Sequence, residues 1–218
     1  MHILLTRPLE DCSEMILKFK SLGHQVSHIP LINIEKVNYE EIKFSDYGGI
    51  IFTSANAVKY LDQDNIDKKM KCFCVGNFTE KKARSLGFQN TIAAEGNVSN
   101  LKELILQSYE TKSKNLLYIS GEIISSNLHK ELISEGYLVK RIVNYDVLPI
   151  EEVNENFIKD LKLTTPDIIF IYSENSARNY LNILKKYGLL EGWMDTNLMC
   201  LGEKASAVLN EIKWKKIF

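Results

Sequence analysis

Short, almost wholly apolar runs recur along the chain: Ile3-Leu4-Leu5, Ile50-Ile51-Phe52, Cys72-Phe73-Cys74-Val75, Leu116-Leu117-Tyr118-Ile119, Ile169-Phe170-Ile171 and Leu198-Met199-Cys200-Leu201. Each is followed by a stretch whose apolar positions carry helical spacing. A strand with one face in water alternates apolar and polar residues, whereas a strand covered on both faces by helices reads as a continuous apolar run. The pattern therefore predicts an α/β protein with parallel sheets.

The runs are also related to one another. Residues His2 to Leu31 align without gaps on Asn115 to Asn144, with Ile3-Leu4-Leu5 on Leu116-Leu117-Tyr118, Gly23 on Gly136 and Val26 on Val139. Each copy of this first unit reads strand, helix, glycine turn, strand. A second unit pairs Ile50 to Asn56 with Ile169 to Asn175, and a third pairs Cys72 to Gly76 with Leu198 to Gly202. A duplication of this kind sets the architecture before any element is assigned. The polar stretches Asn33 to Tyr39 and Asp146 to Asn154 read as crossings between lobes, since boundaries fall in polar linkers. They predict a discontinuous lobe of residues 1–34 plus 149–218 around an inserted lobe of residues 39–145.

Composition narrows the function. With 45% hydrophobic and 25% charged residues among 218, the chain has the make-up of an ordinary globular protein, and no apolar run nears the roughly 20 residues of a membrane span. The start, Met1-His2-Ile3-Leu4-Leu5-Thr6-Arg7-Pro8, reads as a first strand rather than a secretion signal, so a cytoplasmic protein without membrane attachment is expected. A net charge of -1 argues against a broad nucleic-acid-binding surface. Cys72 and Cys74 lack the second pair that a zinc site needs and read as buried strand cysteines. His24 and His28 fall on a strand pattern, so no metal is expected. Lys81, Lys82 and Arg84 read as a solvated helix face, and no glycine-rich phosphate loop or catalytic triad is present.

In open parallel sheets, ligands bind beyond the carboxyl ends of the strands, where helix N-termini offer free amides. The small polar residues at those positions are Thr53, Ser54, Ala55 and Asn56, then Gly76 and Asn77, then Ser120 and Gly121 in the inserted lobe. In the other lobe they are Arg7, Ser173, Gly202 and Lys204. Singly, Ser54, Asn77 and Ser173 also suit helix capping. Together they suit a cleft between the lobes that holds a polyanionic ligand.

At this point the motifs resemble a family. Gly48-Gly49-Ile50-Ile51 with Phe52-Thr53-Ser54-Ala55-Asn56-Ala57-Val58 looks like the most recognisable motif of uroporphyrinogen-III synthases, and Cys74-Val75-Gly76-Asn77-Phe78-Thr79 is similar to their second. Leu4-Leu5-Thr6-Arg7-Pro8, Ala94-Glu95-Gly96-Asn97, Ser120-Gly121-Glu122 and Val143-Asn144-Tyr145-Asp146 follow in the family's order. The resemblance implies two flavodoxin-like parallel-sheet lobes joined by a two-strand linker, the first lobe discontinuous. It also implies a hydro-lyase of heme biosynthesis, active as a monomer and without a cofactor. Such an enzyme closes the linear tetrapyrrole polycarboxylate hydroxymethylbilane with inversion of its last ring and loss of water. A transient contact with the preceding pathway enzyme would fit that role. The family's proposed acid or water-positioning group falls on Tyr145 and its second-motif threonine on Thr79.

Three departures stand out. Ala205 with Ser206 replaces the threonine of the C-terminal copy, Ser125-Ser126-Asn127 replaces a basic residue after Glu122, and the chain stops at Phe218 without a further helix. The competing readings are a non-catalytic two-lobed anion-binding protein and a sugar-phosphate or nucleotide enzyme. The first calls for a secretion signal and the second for a glycine-rich loop.

Overall fold

The computed structural model of the chain describes residues 1–62, 64–109 and 114–218. In chain order its elements are β1 (His2–Leu5), α1 (Leu9–Ser21), β2 (Gln25–His28), β3 (Ile32–Lys36), β4 (Tyr47–Phe52), α2 (Ala55–Lys59), β5 (Lys71–Val75), α3 (Gly76–Ser85), β6 (Asn90–Ala94) and α4 (Val98–Ser108). They continue with β7 (Asn115–Gly121), α5 (Leu128–Ser134), β8 (Val139–Pro149), α6 (Glu155–Leu163), β9 (Ile168–Ile171), α7 (Glu174–Lys186), α8 (Leu190–Trp193), β10 (Asn197–Cys200), α9 (Glu203–Leu209) and β11 (Lys216–Ile217). Two compact units result, Met1–Asn33 with Leu148–Phe218, and Ile34–Val147.

The discontinuous unit holds one parallel sheet in the order β11-β10-β9-β1-β2. Ile3 to Leu5 pair with Ile168 to Phe170, so residues far apart in sequence are neighbours in the sheet. Alternate side chains face alternate layers. Ile3 and Leu5 pack with Cys12, Met15, Ile16 and Phe19 of α1, while Leu4 packs with Ile169, Ile171 and the helices α6, α7 and α9. Counted within the unit, this strand order is the 2-1-3-4-5 of doubly wound folds. The Asn179 side chain on α7 donates to the carbonyls of Leu31 and Ile150, tying the outgoing segment to the returning one.

The inserted unit has the sheet β3-β8-β7-β4-β5-β6, with every pair from β8 to β6 parallel. Apart from β3 the spatial order is the same, but the chain enters at the third strand and returns to the first two. That is the physical form of the sequence duplication, since β7-α5-β8 repeats β1-α1-β2 with the same register. Leu5 lies beside His28 as Tyr118 lies beside Arg141. Ile50, Phe52, Cys72 and Cys74 face one helix layer with Ala57, Val58 and Ala83; Ile51, Phe73, Leu116 and Tyr118 face the other with Leu101, Ile105 and Leu132.

Both polar crossings begin in strand, as the expected two-strand linker requires. Residues 33–36 lie in strand β3, since an edge strand needs only one apolar side and Ile34 provides it against the core. The other crossing begins as the end of β8, whose Pro149 occupies the last strand position, where a missing amide costs no ladder bond. Among the described residues, no helix is long and apolar enough to cross a membrane and no histidine, cysteine and carboxylate group is placed to hold a metal ion. Cys72 and Cys74 are fully buried with their sulfurs 3.8 Å apart; contact with Cys74, together with burial, pushes the Cys72 thiol well up.

Candidate active site at the carboxyl edges of the sheets

The parallel strands of the inserted unit all end on one edge, which collects the turns after β4, β5 and β7 and the middle of β8. After β4, the Ser54 hydroxyl accepts from the Asn56 amide and caps α2. Thr53 Oγ1 lies 3.0 Å from the Tyr118 hydroxyl, and burial pushes that phenol up while the Thr53 contact pulls it partly back. After β5, Gly76 has φ of +74°, and no heavy atom lies within 4 Å of the place a Cβ would take, so its backbone is open to close approach. Asn77 is exposed one residue inside α3, not at its cap, and Thr79 is buried in the first turn.

After β7 the geometry is tighter. Ser120 is buried; its hydroxyl donates to the Gly121 carbonyl at 3.0 Å and accepts from Arg141 Nε at 2.8 Å. Arg141 Nη2 also donates to the carbonyls of Gly121 and Glu122, at 2.7 and 2.8 Å. Opposite this turn the β7–β8 register shifts: Ser120 pairs with Val143 but Gly121 pairs with Tyr145. Asn144 is thus the extra residue of a β-bulge, a device that re-aims side chains. Strict alternation would put Tyr145 on the face of Arg141 and Val143. The bulge puts it with Ile142 in the core layer that also holds Ile50, Phe52 and Ala57.

Tyr145 is 7% exposed, and its ring stacks on Tyr60 at 6.4 Å between centroids with 28° between planes. The neighbouring Asn144 is fully buried; its side-chain amide donates to the Ala57 carbonyl on α2 while its Oδ1 has no partner. Gly121 is required beside the ring. A Cβ there would lie 2.7 Å from Tyr145 Cε2 and Cζ.

The edge of the discontinuous unit is built alike. Arg7 follows β1, and its guanidinium sits 4.5 Å from the ring centroid of Tyr172, whose phenol burial pushes up to about 12. The Ser173 hydroxyl caps α7 by accepting from the Ser176 amide. Gly202 has φ of +94° in the place equivalent to Gly76, and Lys204 is exposed on the first turn of α9. Ala205, in the place equivalent to Thr79, is fully buried against the core, and the Ser206 hydroxyl bonds the Glu203 carbonyl.

Thr53, Ser54, Ala55, Asn56, Gly76, Asn77, Thr79, Ser120, Gly121 and Tyr145 therefore share one edge of one sheet, and Arg7, Ser173, Gly202 and Lys204 lie along the edge of the other. The hydroxyls of Thr53, Ser54, Ser120 and Ser173 already have partners inside the protein. Sequence reasoning missed Arg141, Tyr118, Asn144 and Tyr172. A signal for Arg141 was present, because the ungapped repeat places it on His28 and Ser120 on Arg7. His28 Nε2 donates to the Arg7 carbonyl at 2.7 Å, the counterpart of the Arg141 contacts.

Comparison with known proteins bears on the family and the fold. The sequence model of the family described as uroporphyrinogen-III synthase HemD matches residues 13–218. The porphyrin biosynthesis protein HemD of Ruminiclostridium josui is 23% identical over 94% of this chain, and the chain spans 42% of that protein's length. Two solved structures share the fold. Uroporphyrinogen-III synthetase from Helicobacter pylori superposes with a TM-score of 0.66 at 17% identity, covering 99% of this chain and 91% of that one. A mutant uroporphyrinogen III synthase from the extremely thermophilic bacterium Thermus thermophilus gives 0.57 at 15% identity, covering 100% and 92%. The chain belongs to the uroporphyrinogen-III synthase family.

Proposed function

We propose that the chain is a hydro-lyase of the cytoplasm, acting as a monomer without a cofactor, that converts hydroxymethylbilane into uroporphyrinogen III. The observation that carries this reading, beside family membership, is Tyr145: a phenol held against Gly121 on the carboxyl edge of a parallel sheet. Departure of the substrate hydroxyl needs a proton at the leaving oxygen. A carboxylic acid would be ionised near neutral pH and would repel a polycarboxylate, whereas a phenol keeps its proton. As the carbon–oxygen bond breaks, the Tyr145 proton goes to the oxygen and water leaves. The pyrrole nitrogen lone pair meanwhile supplies the electrons that form an azafulvene. The far pyrrole attacks it through the ring carbon that already bears its methylene bridge. The old bridge bond then breaks to leave a second azafulvene on the neighbouring pyrrole, and the free α carbon of the last ring attacks that one, so the ring closes inverted. The proton lost from this carbon as the pyrrole regains aromaticity restores the phenol.

Carboxylates of the substrate are taken mainly by backbone amides at Ser54, Ala55, Ser173 and Lys204, because the nearby hydroxyls are occupied internally. The Thr79 amide, which the sequence also offers for this role, is the fourth of α3 and is spent on the helix's own first bond to the Val75 carbonyl. Ser173→Ala is accordingly expected to lose about 1 kcal/mol of stability through its helix cap while KM changes little. Abolished substrate binding in that variant, with the fold intact, would contradict recognition through the backbone. The function itself is tested by supplying freshly generated hydroxymethylbilane and separating the products. Type III isomer is expected, whereas spontaneous closure gives type I, and type I alone would sink the assignment.

A further inference from the structure

Arg141 has no role in the proposed reaction, yet its guanidinium makes three hydrogen bonds to the turn after β7. The decisive feature is a single peptide. The carbonyl of the Gly121–Glu122 peptide accepts from Arg141 Nη2 at 2.7 Å, and the amide of the same peptide donates to the Tyr145 carbonyl at 3.0 Å. On its other side, Gly121 lies in contact with the Tyr145 ring. The peptide thus bridges the guanidinium and the backbone of the tyrosine, and Gly121 leaves no room for a Cβ beside the phenol ring.

A second observation supports a purpose beyond general packing. At the equivalent register in the other unit, His28 makes one contact of the same kind, to the Arg7 carbonyl. In the inserted unit that contact has become a three-pronged clamp opposite the bulge that turns Tyr145 into the core layer. Only a planar guanidinium with several divergent N–H groups reaches one hydroxyl and two carbonyls at once; an ammonium on a flexible stem does not.

We infer that Arg141 is a positioning residue, which sets the location of the Tyr145 phenol through the Gly121–Glu122 peptide. The inference rests on Tyr145 being the proton donor. It predicts that Arg141→Ala lowers kcat for type III formation about tenfold, since small displacements of a reacting group carry rate penalties of this order. KM should change little, and the share of type I product should rise. Guanidinium ion, at concentrations far below those that unfold the protein, should restore part of the rate in Arg141→Ala and none in Tyr145→Phe. Arg141→Lys should fall between Arg141→Ala and the parent.

A readout independent of turnover completes the test: in protein carrying ¹³C-labelled tyrosine, the ring signal assigned to Tyr145 by its loss in Tyr145→Phe should shift in Arg141→Ala. An unmoved signal with parental kcat overturns the inference. So does a rate loss that follows only the unfolded fraction and is not rescued by guanidinium. Absence of type III product from the parent chain defeats the assigned reaction instead, and the ring signal then still decides whether Arg141 places Tyr145.

Discussion

Tyr145→Phe is expected to slow type III formation at least tenfold with little change in the unfolding midpoint, and Thr79→Ala to slow it less. General acid catalysis typically contributes about 10² to 10⁴ in rate, and removal of one hydroxyl takes away the proton while leaving the ring. The ring is what the fold uses: it stacks on Tyr60 and packs in the layer with Ile50, Phe52 and Ile142. Thr79 is buried in the first turn of α3, and an alcohol holds its proton far more tightly than a phenol. Thr79 is thus suited to orienting the leaving oxygen rather than protonating it. Rates of both variants with hydroxymethylbilane decide the matter. Near-parental activity in Tyr145→Phe would mean that geometry and stabilisation of the azafulvene carry the catalysis.

Gly121→Ala is expected to cost more than its single methyl group suggests. To bring the new Cβ to an ordinary 3.4 Å from the Tyr145 ring, which it would meet at 2.7 Å, the ring must move by about 0.7 Å. Tyr60 closes one side of the ring. Overpacking of this kind destabilises by about 1 to 3 kcal/mol. A displacement approaching 1 Å at the reacting group costs about 100-fold in rate. The double variant separates the two effects. If Gly121 acts on the reaction only through Tyr145, then Gly121→Ala added to Tyr145→Phe lowers stability again but slows type III formation little further, the non-additivity of residues that work as a unit. Fully additive losses in rate would show that Gly121 has a separate contact with the substrate.

Much of the fold was legible along the chain. Apolar runs without alternation report strands covered on both faces, and that signal is local, so it survives without knowledge of the partners. The duplication of Ile3-Leu4-Leu5 in Leu116-Leu117-Tyr118 disclosed two related units. The positions of Arg7, Ser54, Gly76, Ser120, Ser173 and Gly202 at strand ends followed from strand boundaries alone. Side-chain roles were less legible. Ser54 and Ser173 carry the same residue type whether they cap a helix or face a ligand, and only the hydrogen bonds to Asn56 and Ser176 distinguish these. Asn33 to Tyr39 was legible as a crossing from its polarity, but polarity is what an exposed edge strand and a loop have in common, so its strand character came from the family resemblance and not from the local pattern.

By itself the sequence determined the parallel α/β class, the repeated units and the edge residues, since strand and helix periodicities are properties of neighbouring residues. The direction in which Tyr145 points was decided by tertiary structure alone. Its face of the sheet depends on one extra residue, Asn144, relative to the partner strand, and a bulge exists only as a mismatch between two strands. The same holds for Arg141, which lies twenty residues from Gly121 in the chain and meets it only because β7 and β8 pair. Contacts across a sheet are fixed by register, which is why local pattern located the edge of the site but not the geometry within it.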